Sequence, residues 1–284
     1  MTPTASIVIP CFNVVDTLPL QLEKLLPQIE RLGAELILVD NNSTDGTSRL
    51  LEDVSKRPDI TISNATNVQS AAHARNVGVA AARTDRMLFC DADDVVGEGW
   101  VGAMIAALDT ADIVTGSLDI STLNAPALST SRGDGQTTAS FYGLFPIAHG
   151  GNVACSRRAW NDVGPFDETL VAIEDMEWSL RATIAGHDIV HEPHAVVGYR
   201  YRTNPGELWR QGLRYGMNRP IVARMAFEAL GRRPARWAGA RSWAWLTCNI
   251  GRARTAAGRA QLAWVAGNRL GNLVGSINAR FVVL

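Results

Sequence analysis

Short apolar runs alternate with helix-like segments in the first third of the chain, and this alternation limits the fold more than any other feature. Each run is short and apolar enough for a buried strand, and the runs cover residues 5–10, 35–39, 59–63 and 86–90. The segments between them have apolar residues at helical spacing or are rich in Ala, and they cover residues 18–32, 47–54 and 69–83. This order predicts an α/β fold with a mostly parallel central sheet and helices on both faces.

A cluster of acidic residues follows the fourth apolar run. Asp91, Asp93 and Asp94 come directly after residues 87–90, and open α/β sheets bind ligands at the edge where their strands end. Carboxylates two positions apart can face one cation, and their oxygens suit Mg²⁺ or Mn²⁺. The same residues also fit a plain loop in which Asp94 caps a helix that begins near Val95. Local sequence alone leaves both interpretations open.

Two other residues in this half are candidates for ligand contacts. Asp40 ends the second apolar run and precedes a polar segment, so its carboxylate is well placed to accept hydrogen bonds from a base or a ribose. Arg75 lies near the middle of the third helical segment, where a buried arginine usually pairs with a carboxylate or a phosphate. No G-x-G-x-x-G follows the first run, so a dinucleotide-type cofactor site is not supported.

Composition narrows the class of protein. The chain has 284 residues, 46% of them hydrophobic, which is enough for one large α/β domain with an appendage. The four cysteines lie far apart without a C-x-x-C pair, which argues against a zinc or redox motif and fits a reduced cytosolic setting. The chain start lacks signal-peptide features, and no uncharged apolar run reaches the roughly 18 residues of a membrane span. We therefore expect a cytoplasmic protein.

Charge is distributed unevenly along the chain. Residues 200–284 contain 15 Arg, no Lys and two acids, a net charge of +13, whereas the whole chain has a net charge of −1. From Arg232 onward, tryptophans and leucines alternate with arginines at helical distances. Such a segment can lie on an anionic membrane surface. It can equally pack against the acidic remainder of the chain, or form a dimer face, and the sequence leaves these alternatives open.

Four motifs occur in the order of a known family. They are Ser6-Ile7-Val8-Ile9-Pro10 with Phe12-Asn13, Val39-Asp40-Asn41-Asn42-Ser43-Thr44-Asp45-Gly46-Thr47, Ala74-Arg75-Asn76 with Gly78, and Asp91-Ala92-Asp93-Asp94. Together they resemble glycosyltransferase family 2, whose members have the GT-A fold, over residues 5–215. The resemblance predicts a GT-A catalytic domain over residues 1–215. Residues 216–284 are then expected to form a basic, Trp-rich helical extension.

The resemblance implies a nucleotide-sugar donor, a divalent metal on its diphosphate, and inversion at the anomeric carbon. Asp93 is implied as the main metal ligand, and Asp91 lies by the ribose and the metal. The other implied donor-binding residues are Pro10, Phe12, Asn13, Asp40, Asn41, Arg75 and Arg214. Many relatives have an Asp where this chain has Asn41, which leaves the nucleotide open. The aligned positions of a His found in many relatives are Gly198 and Tyr199 here, so we expect no histidine ligand.

The acceptor side and the catalytic base are also implied by the resemblance. Gly150, Gly151 and Asn152 match the family's small-residue strand below the acceptor site, where glycines let a sugar approach the backbone. Glu174 and Asp175 match an acidic pair that supplies the general base, which we assign to Asp175, and Glu174 is expected to orient the acceptor or the base. Without the resemblance, Asp175 would be interpreted as an ordinary acidic residue in the first turn of a helix.

We therefore predict an inverting, divalent-metal-dependent glycosyltransferase that works with Mg²⁺ or Mn²⁺. The expected acceptor is a glycan or a lipid-linked hydroxyl compound in cell-envelope polysaccharide or glycolipid synthesis. We expect peripheral contact with the inner face of the plasma membrane through the extension, and no nucleic-acid partner. The alternatives are a nucleotidyltransferase on a similar scaffold, which lacks its expected Gly-rich basic loop here, and a non-catalytic protein that binds nucleotide sugars or glycans.

Overall fold

The structure is a computed structural model that describes residues 2–125, 139–170, 172–233 and 240–283. Its strands are β1 (Ser6–Cys11), β2 (Glu35–Asp40), β3 (Ile60–Asn64), β4 (Arg86–Cys90), β5 (Val95–Val96), β6 (Ile113–Asp119), β7 (Ser140–Phe141), β8 (Phe145–Pro146), β9 (Asn152–Ser156) and β10 (Ile189–Gly198). Its α-helices are α1 (Leu18–Leu32), α2 (Thr47–Val54), α3 (Ala71–Ala81), α4 (Trp100–Leu108), α5 (Arg157–Val163), α6 (Glu174–Ile184), α7 (Pro205–Leu230), α8 (Ala240–Cys248) and α9 (Ala256–Asn278). A 3₁₀ helix covers Ile250–Arg254.

One eight-stranded sheet organises the molecule, with the strand order β3-β2-β1-β4-β9-β6-β10-β5. The neighbours from β3 to β4 are parallel, as the alternation of runs and helices predicts. β9 runs antiparallel to both β4 and β6, and β5 runs antiparallel to β10. The predicted α/β fold is thereby confirmed, with a sheet that is parallel from β3 to β4 and mixed beyond β4.

Helices cover both faces of the sheet. On one face, α1 contributes Leu18, Leu22, Leu25 and Ile29 to a core shared with α4 and the strands. On the other face, Phe89 of β4 packs against Trp160 and Phe166, with ring centroids 6.0 and 5.9 Å away. Helix α3 packs directly on β1 at Gly78. The absence of a side chain there allows this contact, since a Cβ atom at Gly78 would clash with Val8. The sheet therefore carries its core on both sides and leaves its strand ends free to position side chains.

The segment after the acidic cluster differs from the local expectation. Val95 and Val96 form the short strand β5 instead of a helix start, because they pair with Gly198 and Val197 of the distant strand β10. Helix α4 begins only after Gly99, whose φ of 76° requires a left-handed backbone. Asp94 therefore does not cap a helix. Residues 188–191 and 195–199 predict two short strands by their apolar character, but Ile189–Gly198 form one bulged strand, β10.

The C-terminal part is helical, as predicted, and forms a close pair of long helices, α7 and α9. The predicted division between residues 215 and 216 falls inside α7, so the helix belongs to both predicted units. Glycines at the contact let the backbones approach: a Cβ at Gly212 would lie 2.5 Å from the Trp264 carbonyl, and one at Gly267 would lie 2.5 Å from the Trp209 carbonyl. Gly216, Gly271 and Gly275 likewise have no room for a side chain.

Two further expectations concern membrane spans and the segment after β6. Across the described ranges, no helix combines the length and the apolar character needed to cross a bilayer. The polar composition of residues 117–138 predicts a loop, but residues 117–119 form the end of β6. Residues 126–138 lie outside the described part of the chain. The cysteines at positions 11, 90, 155 and 248 are free thiols. Burial raises the pKa of the Cys155 thiol to about 12, so this residue is held neutral.

Candidate active site

Sheet topology brings the sequence-predicted acids and glycines to one edge. The last residue of β4, Cys90, is paired with the first residue of the antiparallel strand β9, Asn152. Asp91 therefore lies beside Gly151, where a Cβ would approach Asp91 Oδ2 to 2.6 Å. Because no side chain fits at Gly151, the carboxylate of Asp91 and the backbone before β9 share one surface.

Arg75 joins the two acidic parts of this edge. Its Nη2 donates to Asp91 Oδ1 at 2.7 Å, and its Nη1 donates to Glu174 Oε1 at 2.8 Å. The side chain is only 4% exposed. Burial alone would lower the pKa of the guanidinium, but the charges of Asp91, Glu174 and Asp175 outweigh burial and raise it. Arg75 is thus a buried cation that holds the end of β4 and the start of α6 together. Of the two kinds of partner predicted for it, a carboxylate or a phosphate, the structure shows carboxylates.

Asp175 is positioned by backbone groups at the start of α6. Its Oδ2 accepts a hydrogen bond from Gly150 N at 3.1 Å, and its Oδ1 accepts one from Met176 N at 2.8 Å. The helix is preceded by Ile173, whose φ of 60° is unusual for a β-branched residue. Burial raises the pKa of the Asp175 carboxyl, and the nearby charge of Asp91 adds to the rise, against the two backbone donors and Arg75. The result is a fixed carboxylate that is more basic than an ordinary Asp.

Glu174 forms an ion pair with Arg75 and is largely buried. Its side chain is 14% exposed, and it belongs to the same helical turn as Asp175. Burial raises the pKa of Glu174 even though Arg75 opposes the change. Glu174 therefore fixes Arg75 against α6, which in turn fixes the position of Asp91.

The Asp91-Ala92-Asp93-Asp94 turn is held by two residues that the sequence did not single out. The backbone N of Arg200 donates to Asp94 Oδ1 at 2.8 Å, and its Nε donates to the Asp93 carbonyl at 2.8 Å. Gln21 of α1 donates to the Asp91 carbonyl at 3.2 Å. The one sequence feature that could have indicated Arg200 is its position as a basic residue just after the strand that ends at Gly198. Nothing in the local sequence marked Gln21.

Negative charge accumulates at this turn without full compensation. The Asp93 side chain is exposed, and desolvation by the surrounding protein, together with the charge of Asp91, raises its pKa. Asp94 is buried, its Oδ2 has no hydrogen-bond partner, and burial raises its pKa well above the usual range, with Asp93 and Asp91 adding to the effect. Crowded carboxylates with an unpartnered oxygen fit a hard divalent cation.

The residues present would supply only part of a metal's coordination. Within the residues that the structure describes, no three His, Cys, Asp or Glu side chains are grouped so as to hold a metal ion. His191 instead lies 3.1 Å from Ser117 Oγ through its Nε2. Asp91 and Asp93 therefore fit a cation whose remaining ligands come from a bound diphosphate or from water.

The expected nucleoside-binding residues lie at the ends of β1 and β2. Asp40 accepts hydrogen bonds from Ser43 N at 3.1 Å and from Ser48 Oγ at 2.6 Å, which fixes its carboxylate. Asn13 has a φ of 52° and accepts a hydrogen bond from Thr44 N at 2.7 Å, so the two loops are tied together. Pro10 precedes these residues in β1, and the Phe12 side chain is 44% exposed beside them.

Asn41 and Asn152 are engaged inside the protein. Asn41 Nδ2 donates to the carbonyls of Ala65 and Val68 at 2.5 and 2.8 Å, which an Asp could not do. Asn152 is fully buried, and its amide makes three hydrogen bonds with Trp100 Nε1 and the carbonyls of Ser117 and Ala195. Asn152 therefore supports the sheet beneath the glycines, with its amide turned away from the surface. Arg214 is exposed on α7 and makes no described contact with these site residues.

Comparisons with protein families identify the chain's relatives. The model described as "Glycosyl transferase family 2" matches residues 6–164, and that described as "Glycosyl transferase family group 2" matches residues 87–272. Glycosyltransferase AglE of Haloferax volcanii is 26% identical over 221 residues, which cover 75% of this chain and 72% of AglE. Succinoglycan biosynthesis protein ExoA of Rhizobium meliloti is 28% identical over 231 residues, which cover 77% of this chain and 70% of ExoA.

Solved structures share the fold at low sequence identity. The mannosyltransferase PcManGT of Pyrobaculum calidifontis, solved with GDP-Man and Mn²⁺, has a TM-score of 0.61 at 19% identity and covers 96% of this chain and 88% of its own. S. aureus TarS 1-349, solved with UDP-GlcNAc, has a TM-score of 0.56 at 16% identity and covers 98% and 92%. Family match, relatives and fold agree: the chain belongs to glycosyltransferase family 2, and it is a glycosyltransferase.

Proposed function

We propose that this glycosyltransferase inverts the configuration of the sugar it transfers and that Asp175 is its catalytic base. The observation that carries the proposal is the position of the Asp175 carboxylate. It is fixed by Gly150 N at the strand edge that also carries Asp91, and both acids lie near the guanidinium of Arg75. Burial raises the pKa of Asp175, and a more basic carboxylate is a better proton acceptor.

The proposed reaction is a single displacement at C1 of the donor sugar. The acceptor hydroxyl oxygen forms a bond to C1 while its proton passes to the Asp175 carboxylate, and the bond from C1 to the diphosphate oxygen breaks. Attack and departure occur on opposite faces of C1, so the configuration inverts. Glu174 acts as a positioning residue, since its carboxylate is bound to Arg75 at 2.8 Å.

Asp91 and Asp93 are the residues that would hold Mg²⁺ or Mn²⁺. When bound, the cation neutralises charge that develops on the departing diphosphate. The chain itself fixes this turn through Arg200, which holds Asp94 and the Asp93 carbonyl, and through Arg75, which holds Asp91. PcManGT was solved with Mn²⁺, which supports use of a divalent cation.

The donor is a nucleotide sugar bound at the ends of β1 and β2. Asp40 presents a carboxylate fixed by two serines for hydrogen bonding, and the exposed ring of Phe12 offers a surface for a base. We retain Pro10 and Asn13 in the pocket and assign Asn41 to supporting it. Arg214 would reach the diphosphate from the exposed side of α7. Two structural neighbours carry GDP-Man and UDP-GlcNAc, so both nucleotide classes are candidates.

The acceptor is a glycan or a lipid-linked sugar in cell-envelope polysaccharide or glycolipid synthesis. Gly150 and Gly151 let the backbone beside Asp175 lie directly against Arg75 and Asp91, since a Cβ there would come within 3.1 Å of Arg75 Cζ and 2.6 Å of Asp91 Oδ2. Glu174 helps only through Arg75, and Asn152 is left out because its amide is used within the sheet. ExoA is named for succinoglycan biosynthesis, which supports a polysaccharide product.

The C-terminal helices are the proposed site of contact with the cytoplasmic face of the membrane. Leu270, Val274 and Ile277 follow one another at helical spacing on α9, and each is at least 36% exposed. Val282 extends this apolar stripe and is 70% exposed. Exposed arginines accompany it and can bind anionic lipid, at positions 252, 254, 259 and 280.

The reaction is tested by direct measurement of transfer and of stereochemistry. Purified protein is first screened with UDP-, GDP- and dTDP-sugars in the presence of Mn²⁺, because a bound donor raises the melting temperature by mass action. The best donor is then incubated with acceptor saccharides, and the new linkage is assigned by NMR. Inverted anomeric configuration supports the proposal. Retained configuration in the product would overturn it.

A further inference from the structure

A second group of charged and polar residues lies away from the acidic turn, where the β7–β8 hairpin meets the helix pair α7 and α9. Arg219 of α7 lies over the ring of Tyr142, with Cζ 6.0 Å from the ring centroid. Arg269 of α9 is only 6% exposed and lies next to both Tyr142 and Arg219. Two guanidinium groups therefore share one tyrosine in a largely buried place.

Positive charge here has no acidic counterpart. Within the described ranges, no carboxylate forms an ion pair with Arg219 or Arg269. Burial lowers the pKa of Arg269, and the charge of Arg219 adds to this effect, whereas the neighbouring Tyr142 opposes it. Buried arginines are normally paired with acids, because an isolated charge is costly to remove from water. An anion bound between the two would remove this cost.

Hydrogen-bond donors around the two arginines are also left without partners. Arg219 Nε and Asn268 Nδ2 are buried and make no hydrogen bond. The buried hydroxyl of Tyr142 faces the Arg269 guanidinium, which can donate to its oxygen, and the O–H itself has no acceptor. Arg269 is held by neutral amides, and its Nη2 donates to Asn268 Oδ1 at 2.7 Å. When the Asn272 amide is oriented so that its nitrogen donates to the Gly216 carbonyl, Arg269 Nη2 also donates to the Asn272 side-chain oxygen at 3.0 Å. Three unpaired donors beside two cations are what an oxyanion requires.

Tyr142 occupies a turn position that a tyrosine rarely takes. Tyr142 and Gly143 both have positive φ, 51° and 71°, and Leu144 N donates to the Phe141 carbonyl at 2.9 Å. Two-residue turns of this kind favour Asn, Asp or Gly at the first position. The ring is held between Phe141, 4.8 Å away, and Arg219. An unfavourable backbone conformation therefore places the tyrosine hydroxyl beside the arginines.

We propose that Tyr142, Arg219 and Arg269 form a binding site for a phosphate group, in addition to the diphosphate site at Asp91 and Asp93. Arg219 is only partly buried, so a small anion can reach it from solvent. The guanidinium groups and the phenol donate to the phosphate oxygens, and Asn268 Nδ2 supplies a further donor. Binding is measured without transfer, so failure of this proposal leaves the proposed reaction unaffected.

The test is calorimetric titration of the full chain with inorganic phosphate in EDTA, which removes cations from the acidic turn. We expect saturable binding to the wild-type protein. Arg219→Gln weakens it by about tenfold or more, as expected for a charge-assisted hydrogen bond. Tyr142→Phe weakens it by about threefold, as expected for one neutral hydrogen bond. Arg210→Gln, which removes an exposed arginine from the same helix, leaves binding unchanged.

Tyr142→Phe keeps the ring contacts and decides the test if Arg219→Gln does not fold. Methyl phosphate and geranyl phosphate distinguish two sources of the group: tighter binding of the geranyl ester indicates a lipid phosphate, and equal binding indicates a soluble phosphate. Absence of saturable phosphate binding to the wild-type protein overturns the proposal. The proposal is also overturned if Tyr142→Phe and Arg219→Gln both bind phosphate with wild-type affinity. If Arg219→Gln does not fold, wild-type affinity in Tyr142→Phe is sufficient to overturn it.

Discussion

Arg75 is the residue on which the geometry of the site most depends. Its planar guanidinium binds Asp91 on the β4 side and Glu174 on the α6 side at the same time. A lysine carries the same charge on a single nitrogen and lacks the planar group whose two Nη atoms here donate to carboxylates on different elements. Asp91 and Asp175 therefore keep a fixed relation only while this arginine is present.

We expect Arg75→Met to destabilise the fold by about 3 kcal/mol, because it leaves the largely buried Glu174 and the partly buried Asp91 without their cation. Urea denaturation at neutral pH measures this change. The matched control is Arg86→Met, which removes an ion pair with Asp109 whose side chains are 40% and 58% exposed. Surface pairs contribute about 0–1 kcal/mol, so the control should change little. Equal losses in the two variants would contradict a bridging role for Arg75.

The pKa of Asp175 predicts how transfer depends on pH. A base must be ionised to accept a proton, and burial raises the pKa of this carboxyl above the value of about 3.9 for a free Asp. The rate of transfer should therefore rise with pH through a value above that range, measured as kcat at saturating donor and metal. A rate that stays flat down to the pKa of an ordinary Asp would contradict the assignment.

At the scale of helices and strands, the close contact between α7 and α9 depends on glycines. A Cβ at Gly271 would clash with the Leu213 carbonyl, which belongs to rigid helical backbone. Small residues four apart allow such an approach between helices. The phosphate site proposed above has residues from both helices, so it requires their close contact.

Gly271→Ala should lower the free energy of unfolding by about 1–3 kcal/mol, the usual cost of overpacking. Gly251→Ala is the control, because nothing lies within 4 Å of its Cβ position. Thermal unfolding followed by circular dichroism measures both variants. A stable Gly271→Ala variant with unchanged melting temperature would show that the helices are free to separate.

Local pattern was sufficient for some elements and insufficient for others. The residues predicted for α1, α2 and β4 form those elements, since helical spacing and short apolar runs are local properties. β5 was missed because it depends on pairing with β10, which is about 100 residues away in the sequence. Arg200 and Gln21 were missed for the same reason: each acts through a contact that only the folded chain creates.

The acidic residues of the candidate site could be predicted from the sequence, but most of their hydrogen-bond partners could not. Motifs placed Asp91, Asp93 and Asp175 at strand and helix ends, and the structure brings their elements to one edge. That Arg75 would pair with an acid or a phosphate followed from its type and position, but its two partners did not. The roles of these residues in transfer remain predictions. The hydrogen bonds of the Asn152 side chain could not be predicted from the sequence, because its partners come from three separate elements.

For the whole molecule, the exposed apolar stripe on α9 determines how membrane contact should be tested. Truncation before Arg232 would remove α9 and uncover the glycine face of α7. Substitution of exposed residues is therefore a sharper test. Ile277 and Val282 are 77% and 70% exposed, so replacing them leaves the helix pair intact.

Ile277→Ser with Val282→Ser should reduce flotation with anionic vesicles of phosphatidylglycerol by about tenfold or more. Burial of one such side chain contributes about 1.5–3 kcal/mol, and both contributions are lost. Ile184→Ser, which changes an apolar residue of α6 that is 52% exposed, is the control and should float like the wild type. Unchanged flotation of the double variant would remove the stripe from the membrane proposal.

Asp175→Asn, compared with Asp93→Asn, tests the central claim most directly. The asparagine keeps the size of the side chain and removes its ability to take a proton, so transfer should fall by about 10²–10⁴-fold while donor affinity stays within about threefold. Asp93→Asn should instead weaken Mn²⁺-dependent donor binding. Donor affinity is measured by calorimetry and transfer by product formation. Near-normal turnover by Asp175→Asn would contradict its role as the base.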